Sequence, residues 1–151
     1  EDIIVPTVEA PLPKKIVDAR YDHVRRFEAL LVDAGTCVLK FFLHISKEEQ
    51  RQRLQDRLDS PEKHWKFDPR DLEVRAAWDD YTAVYQQIFL RTSTDDAPWY
   101  IVPADFKPQA RLIVSQVILE TLKELKLKYP TLSAAQKADL KEFRQALSKP
   151  A

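Results

Sequence analysis

Apolar positions along this chain recur at two spacings, one helical and one extended. Between Asp22 and Asp33 they fall at Val24, Phe27, Leu30 and Leu31, the rhythm of an amphipathic helix. Gly35 follows where a C-capping glycine belongs. Thr36 to Ile45 (TCVLKFFLHI) is then rich in β-branched and aromatic residues and nearly continuous in apolarity, which predicts a strand buried on both faces, as in a parallel sheet. Helix, glycine and buried strand make half of an α/β unit. Ser46 and Glu49 form an S-x-x-E capping box that opens the next helix. That helix carries Leu54 and Leu58 on one face and Arg53 and Arg57 on another, and it should end near Asp59-Ser60-Pro61. Asp68-Pro69 predicts an N-cap with proline at the first helical position. From there a helix to about Thr92 should bury Leu72, Ala76, Trp78, Tyr81, Val84, Tyr85, Ile88 and Phe89.

Pro98 to Pro103 (PWYIVP) predicts a second short buried strand. Asp105 can cap a helix from Lys107 to Leu125, whose apolar residues cover most of its circumference and predict burial between layers. Ser133-x-x-Gln136 opens a last, thinly apolar helix to about Leu147, so that 131–151 reads as peripheral. At the other end, Ile3-Ile4-Val5 runs into Pro6, Pro11 and Pro13, the end of a strand or helix entering an extended connector. So abrupt an entry predicts a chain cut from something longer.

The length of 151 residues suits about one domain. Apolar residues make up 44% and charged residues 32%, with zero formal net charge, so no global field favours nucleic acid or an anionic membrane. No apolar run approaches the roughly 18 residues of a membrane span. The acidic start, EDIIVPTVEAPLP, lacks the basic and apolar regions of a signal peptide, which leaves a cytoplasmic protein as the expectation. Cys37 is the single cysteine, which excludes an intrachain disulfide framework and a cysteine metal cluster. Gly35 is the single glycine. A phosphate-cradling loop needs several, so neither a Walker A loop nor a dinucleotide fingerprint can lie in this chain.

Candidate chemistry concentrates in Arg51 to Lys66 (RQRLQDRLDSPEKHWK), where Arg51, Arg53, Arg57, Lys63 and Lys66 form a local basic patch. Arg53 and Arg57 stand one helical turn apart, and planar guanidiniums suit phosphate. The alternative is a solvated face, with Glu49 pairing to Arg53 and Asp59 to Arg57. Spacing alone leaves both open. No two of His23, His44 and His64 have metal-ligand spacing, so no metal ligands are assigned. Asp79 and Asp80 point about 100° apart on a helix and read as surface acids rather than a carboxylate dyad. Cys37 reads as an inert apolar residue of the first strand. Trp65, between Lys63 and Lys66, is the least core-like tryptophan.

Several strings then occur together and in order: KFFLHISKEEQ (40–50), RLDSPEKHWKF (57–67), WDDY (78–81), TST (92–94) before APWY (97–100), and VPADFK (102–107). From roughly Tyr21 to Tyr129 the chain resembles the C-terminal half of family-2 polyphosphate kinases. The resemblance implies α/β architecture: the C-terminal part of a P-loop kinase fold of the thymidylate-kinase type, mostly helical with two or three short parallel strands. It implies a single partial domain over 1–151 with a lid at about 46–70. It implies phosphate transfer between inorganic polyphosphate and nucleoside mono- or diphosphates, with polyphosphate, AMP, ADP and ATP as partners. Carried over one at a time, Arg53 and Arg57 take the catalytic places, and Lys63 and Lys66 take phosphate-binding ones. Mg²⁺ is the implied cofactor, its ligands expected in an N-terminal half outside this chain. EDIIVPTVEA resembles the segment just after Walker B. Where the family usually has two aromatics after Lys107, this chain has Pro108-Gln109. The chain alone is therefore expected to be inactive, and a homo-oligomer is expected. The alternative is a non-catalytic polyphosphate-binding or subunit-assembly module lacking the P-loop.

Overall fold

Two short strands, β1 (Lys40–His44) and β2 (Trp99–Pro103), pair in parallel with Phe42 opposite Ile101. A parallel pair needs a crossover connection, and here the crossover carries α3 (Lys47–Asp59), a 3-10 turn (Pro61–Lys66), α4 (Asp71–Ala76) and α5 (Trp78–Thr92). Before β1 come α1 (Val5–Val8) and α2 (Lys14–Asp33). After β2 come α6 (Lys107–Glu124) and α7 (Ala134–Leu147). This computed structural model describes residues 3–148, and the chain divides into two compact units, Glu1–Ser115 and Gln116–Ala151. The result is a mostly helical α/β arrangement. Among the described residues no helix is long and apolar enough to cross a membrane.

The first unit has two apolar clusters. Ile3, Tyr21, Val84 and Ile88 are buried, with Val17, Val24, Tyr85, Phe89 and Trp99 packed against them. Val102, Ala104 and Ala110 form the other, flanked by Phe41, Ile45, Tyr100, Ile113 and Val114. The face of α2 that enters the core is thus Val17, Tyr21 and Val24. Phe27 and Leu30, expected inside, are 61% and 64% exposed. α2 ends as its glycine predicts: Thr36 N–H donates to the Leu31 carbonyl at 2.9 Å and Gly35 N–H to that of Val32 at 2.8 Å. This is a Schellman closure, and it needs the positive φ of +83° that Gly35 adopts.

The first strand is shorter than expected and is not buried on both faces: Leu43 and His44 are exposed. Cys37 lies in the loop before it and is exposed, not inside a strand. The single helix expected over 68–92 is two. Asp68 accepts the Arg70 N–H at 2.9 Å in a turn, α4 starts at Asp71, and the chain restarts as α5 after Ala77 (φ −83°, ψ 20°). Asp79 and Asp80 occupy the first turn of α5, where negative charge suits the helix dipole. Within α6 only Ala110 is buried, while Leu112, Ile118, Leu119 and Leu122 are exposed, so the expected burial between layers is not found.

Candidate functional site

The head of α3 is held by two chains of contacts. Ser46 Oγ accepts the Glu49 N–H at 3.0 Å, the predicted half of the capping box. The Ser46 N–H goes instead to Asp105 Oδ1 at 2.7 Å, so Asp105, expected at the head of α6, reaches back to α3. The bonds from Ser46 hold the Asp105 carboxyl below its usual range, and the Arg53 charge acts the same way. Glu49, freed from the box, takes Arg53 Nε at 2.7 Å. The other end of Arg53 donates to the Ala104 carbonyl at 2.9 Å, just past β2. From the next helix, Arg75 donates to the Lys47 carbonyl at 2.6 Å and to Gln50 Oε1 at 3.0 Å.

Arg57 faces elsewhere. It donates to Asp71 Oδ2 at 2.8 Å and to the Lys66 carbonyl at 3.2 Å, tying α3 to the 3-10 turn and to the start of α4. The acid paired with it is Asp71, not Asp59. Lys66 Nζ lies 5.0 Å from the centroid of the Trp65 ring, and Trp65 is 79% exposed. Lys63 is half-buried and makes no ion pair among the described residues. His64 shares a hydrogen bond with the Leu58 carbonyl. Arg51 is spent on Glu48 at 2.6 Å, and that contact, with a lesser one from Gln52, pushes the Glu48 carboxyl down to about 2. The structure therefore brings Arg57 beside the turn that carries Lys63 and Lys66, and sends Arg53 to the end of the sheet.

At that end lies a groove of about 540 Å³. Leu43, Ile45, Ala104, Ala110 and Val114 wall it, and Arg53, Lys107 and Arg111 line it. It sits outside the carboxyl ends of parallel strands, the usual ligand position in open α/β sheets. The signal available in the sequence was the Lys107/Arg111 spacing directly after a strand. A second groove, of about 460 Å³, is aromatic, lined by Phe42, Trp78, Tyr81, Tyr85 and Phe89. The Phe42 and Tyr85 rings lie 4.5 Å apart.

Among the described residues no group of three or more His, Cys, Asp or Glu could hold a metal ion. No step below runs through a metal ion.

The family model for Polyphosphate kinase 2 (PPK2) matches residues 1–130. Over 130 residues the chain is 50% identical to the AMP/ADP-polyphosphate phosphotransferase of Meiothermus ruber, covering 86% of this chain and 49% of that one. It is 52% identical over 130 residues to the ADP-polyphosphate phosphotransferase of Rhodopseudomonas palustris, covering 86% and 45%. The crystal structure of Polyphosphate Kinase 2 from Arthrobacter aurescens TC1 matches with a TM-score of 0.83 and 41% identity, over 93% of this chain and 51% of that one. The chain spans about half the length of the curated relatives it matches. On sequence and on fold alike, it belongs to the polyphosphate kinase 2 family.

Proposed function

We propose that this chain supplies the lid and C-terminal half of a phosphotransferase that moves phosphate between inorganic polyphosphate and AMP or ADP. The observation that carries this reading is the pairing of family membership with a basic segment, 46–70, whose first residue is tied to Asp105 and whose Arg57 is tied to Asp71. Relatives bear the names AMP/ADP- and ADP-polyphosphate phosphotransferase. Phosphoryl transfer leaves little covalent work to the protein; positioning and neutralisation of charge do most of it. Arg53 and Arg57 would stabilise charge on the transferring group, exchanging Glu49 and Asp71 for phosphate oxygens as the segment closes. Guanidiniums stay charged and can bind such oxygens bidentately. Lys63 and Lys66, exempt from carboxylate pairing among the described residues, would meet the flanking phosphates. A P-loop and metal ligands would come from the part of the relatives' length outside the matched stretch. A cytoplasmic homo-oligomer belongs to the same proposal, and sedimentation tests the assembly.

The test is transfer from polyphosphate to ADP or AMP, with Mg²⁺ added, by the longest native form of the chain. Arg53→Ala and Arg57→Ala should each lower turnover by about 10²-fold, the scale for losing one donor to developing charge. Unchanged turnover in both variants would remove them from the site. The 151 residues alone should make no ATP; turnover by them would show that no further half is needed.

A further inference from the structure

Two helices of this chain, α3 and α7, open on a serine with Glu or Gln three residues on, and α7 alone completes the capping box. Ser133 Oγ accepts the Gln136 N–H at 3.2 Å, and the Gln136 side chain takes the Ser133 N–H at 2.9 Å. Ser46 Oγ accepts the Glu49 N–H, but its own N–H goes to Asp105. Backbone geometry does not cause the difference: φ and ψ are −71° and 156° at Ser46, and −64° and 166° at Ser133. The head of α3 is thus already shaped for the full box. What differs is the residue one turn further on. Gln136 is followed by Leu140, which offers no side-chain donor, and Glu49 by Arg53, whose Nε holds it at 2.7 Å. The Glu49 carboxylate therefore has two claimants, the Arg53 guanidinium and the Ser46 N–H, and Asp105 stands in at the second.

An anion on Arg53 shifts this balance from both sides. Phosphate oxygens that take the guanidinium donors leave Glu49 without its charge partner. Glu49 then stands in the first turn of a helix, where the dipole favours a carboxylate and the Ser46 N–H is within the reach of the motif. Asp105 is close enough to feel the Arg53 charge, so it also feels the opposite charge of an anion bound there. Its side chain is exposed, and leaving Ser46 returns it to water. We propose that Glu49 is a positioning residue with two seats. With Arg53 free of ligand, Glu49 pairs with the arginine and Asp105 holds the head of α3. With phosphate on Arg53, Glu49 completes the capping box and Asp105 lets go. The exchange turns occupancy of Arg53 into release of the tie between the first residue of 46–70 and the chain after β2, while α3 stays capped throughout. It rests on the phosphate reading of Arg53 above and concerns how that site is regulated.

The experiment is NMR on the 151-residue chain, following the Asp105 carboxyl and the Ser46 amide. Glutamine completes such a box, as Gln136 does, yet carries no charge for Arg53 to hold. In Glu49→Gln the Asp105 carboxyl should therefore titrate at higher pH than in Glu49→Ala, where Asp105 keeps the Ser46 N–H. Both variants lose the Glu49–Arg53 pair, so equal titration would trace any effect to that loss and overturn the exchange. The phosphate arm uses Asp105→Ala, in which Asp105 no longer takes the Ser46 N–H. There tripolyphosphate should slow hydrogen exchange of the Ser46 amide about tenfold, and in Asp105→Ala/Glu49→Ala it should not. The same exchange rate in both chains would overturn the trigger. The Ser46 hydroxyl cap remains in every variant, and the Thr36 amide, bonded to Leu31 at the end of α2, verifies the fold. A switch in Glu49→Gln with no response to tripolyphosphate would overturn the phosphate trigger and, with it, the place of Arg53 in the reading above. Transfer by the longest native form that Arg53→Ala abolishes, with Glu49→Gln and Glu49→Ala alike at Asp105, would end this inference and leave the phosphotransferase reading standing.

Discussion

Lys40 has the most enclosed charge among the ion pairs described. Its ammonium donates to Glu28 at 2.7 Å and to the Thr92 carbonyl at 2.6 Å, with the two side chains only 11% and 12% exposed. One residue thereby joins α2, the start of β1 and the end of α5. Removing one partner of a buried pair strands the other. Lys40→Ala should cost roughly 3 kcal/mol in chemical denaturation, and Glu28→Gln, which keeps a hydrogen-bonding group, should cost less. Tyr81 offers a pH signature. Burial, and then its hydrogen bond to Glu9, push the phenol from 10.0 up to about 12. The neutral form is the one favoured by folding, so this contribution is complete below pH 10 and is lost as pH rises through about 12. Denaturation across that interval should show a steeper loss for the unchanged chain than for Tyr81→Phe. None of these partnerships could be read from the sequence, because the Lys40 partners lie 12 and 52 positions away.

At the scale of elements, what was legible is what is local. The Gly35 closure of α2, the Ser46 and Ser133 caps and the strand at 99–103 each depend on residues within one turn or one run. Ser133 and Gln136 complete both halves of their capping box, at 3.2 and 2.9 Å. Ser46 and Glu49 do not, because Arg53 competes for the glutamate and Asp105 supplies the missing acceptor. The apolar stripes were harder to place. α2 has apolar residues on more than one side, and Tyr21 rather than Phe27 enters the core. The four basic residues of the candidate site were named, but their separation into an Arg57 group and an Arg53 group was not. Arg53 finds Ala104 at a distance of 51 positions and Arg57 finds Asp71 at 14. Because the Ser46 hydroxyl caps α3, Ser46→Ala should lower stability by about 1 kcal/mol, while the main-chain bond to Asp105 stays in place. The readout is the denaturation midpoint, with Ser46→Thr, which keeps a capping hydroxyl, restoring most of it.

For the whole molecule, the order in which chain becomes available matters as much as the finished contacts. β1 and β2 are parallel neighbours, yet the Ser46–Asp105 bond at their carboxyl ends joins residues 59 positions apart. Everything proposed to grip phosphate in 46–70 lies inside that span. Closing so long a connection is entropically costly, and parallel pairing is slow for that reason. As the chain is synthesised, Phe41, Phe42 and Leu43 therefore emerge long before Trp99 to Pro103, as a short unpaired strand of aromatic and aliphatic residues. Such a segment waits in a state prone to self-association. Refolding from denaturant should accordingly lose yield as protein concentration rises, and Leu43→Lys, at a position already exposed in the folded sheet, should recover that yield while leaving the β1–β2 ladder in place.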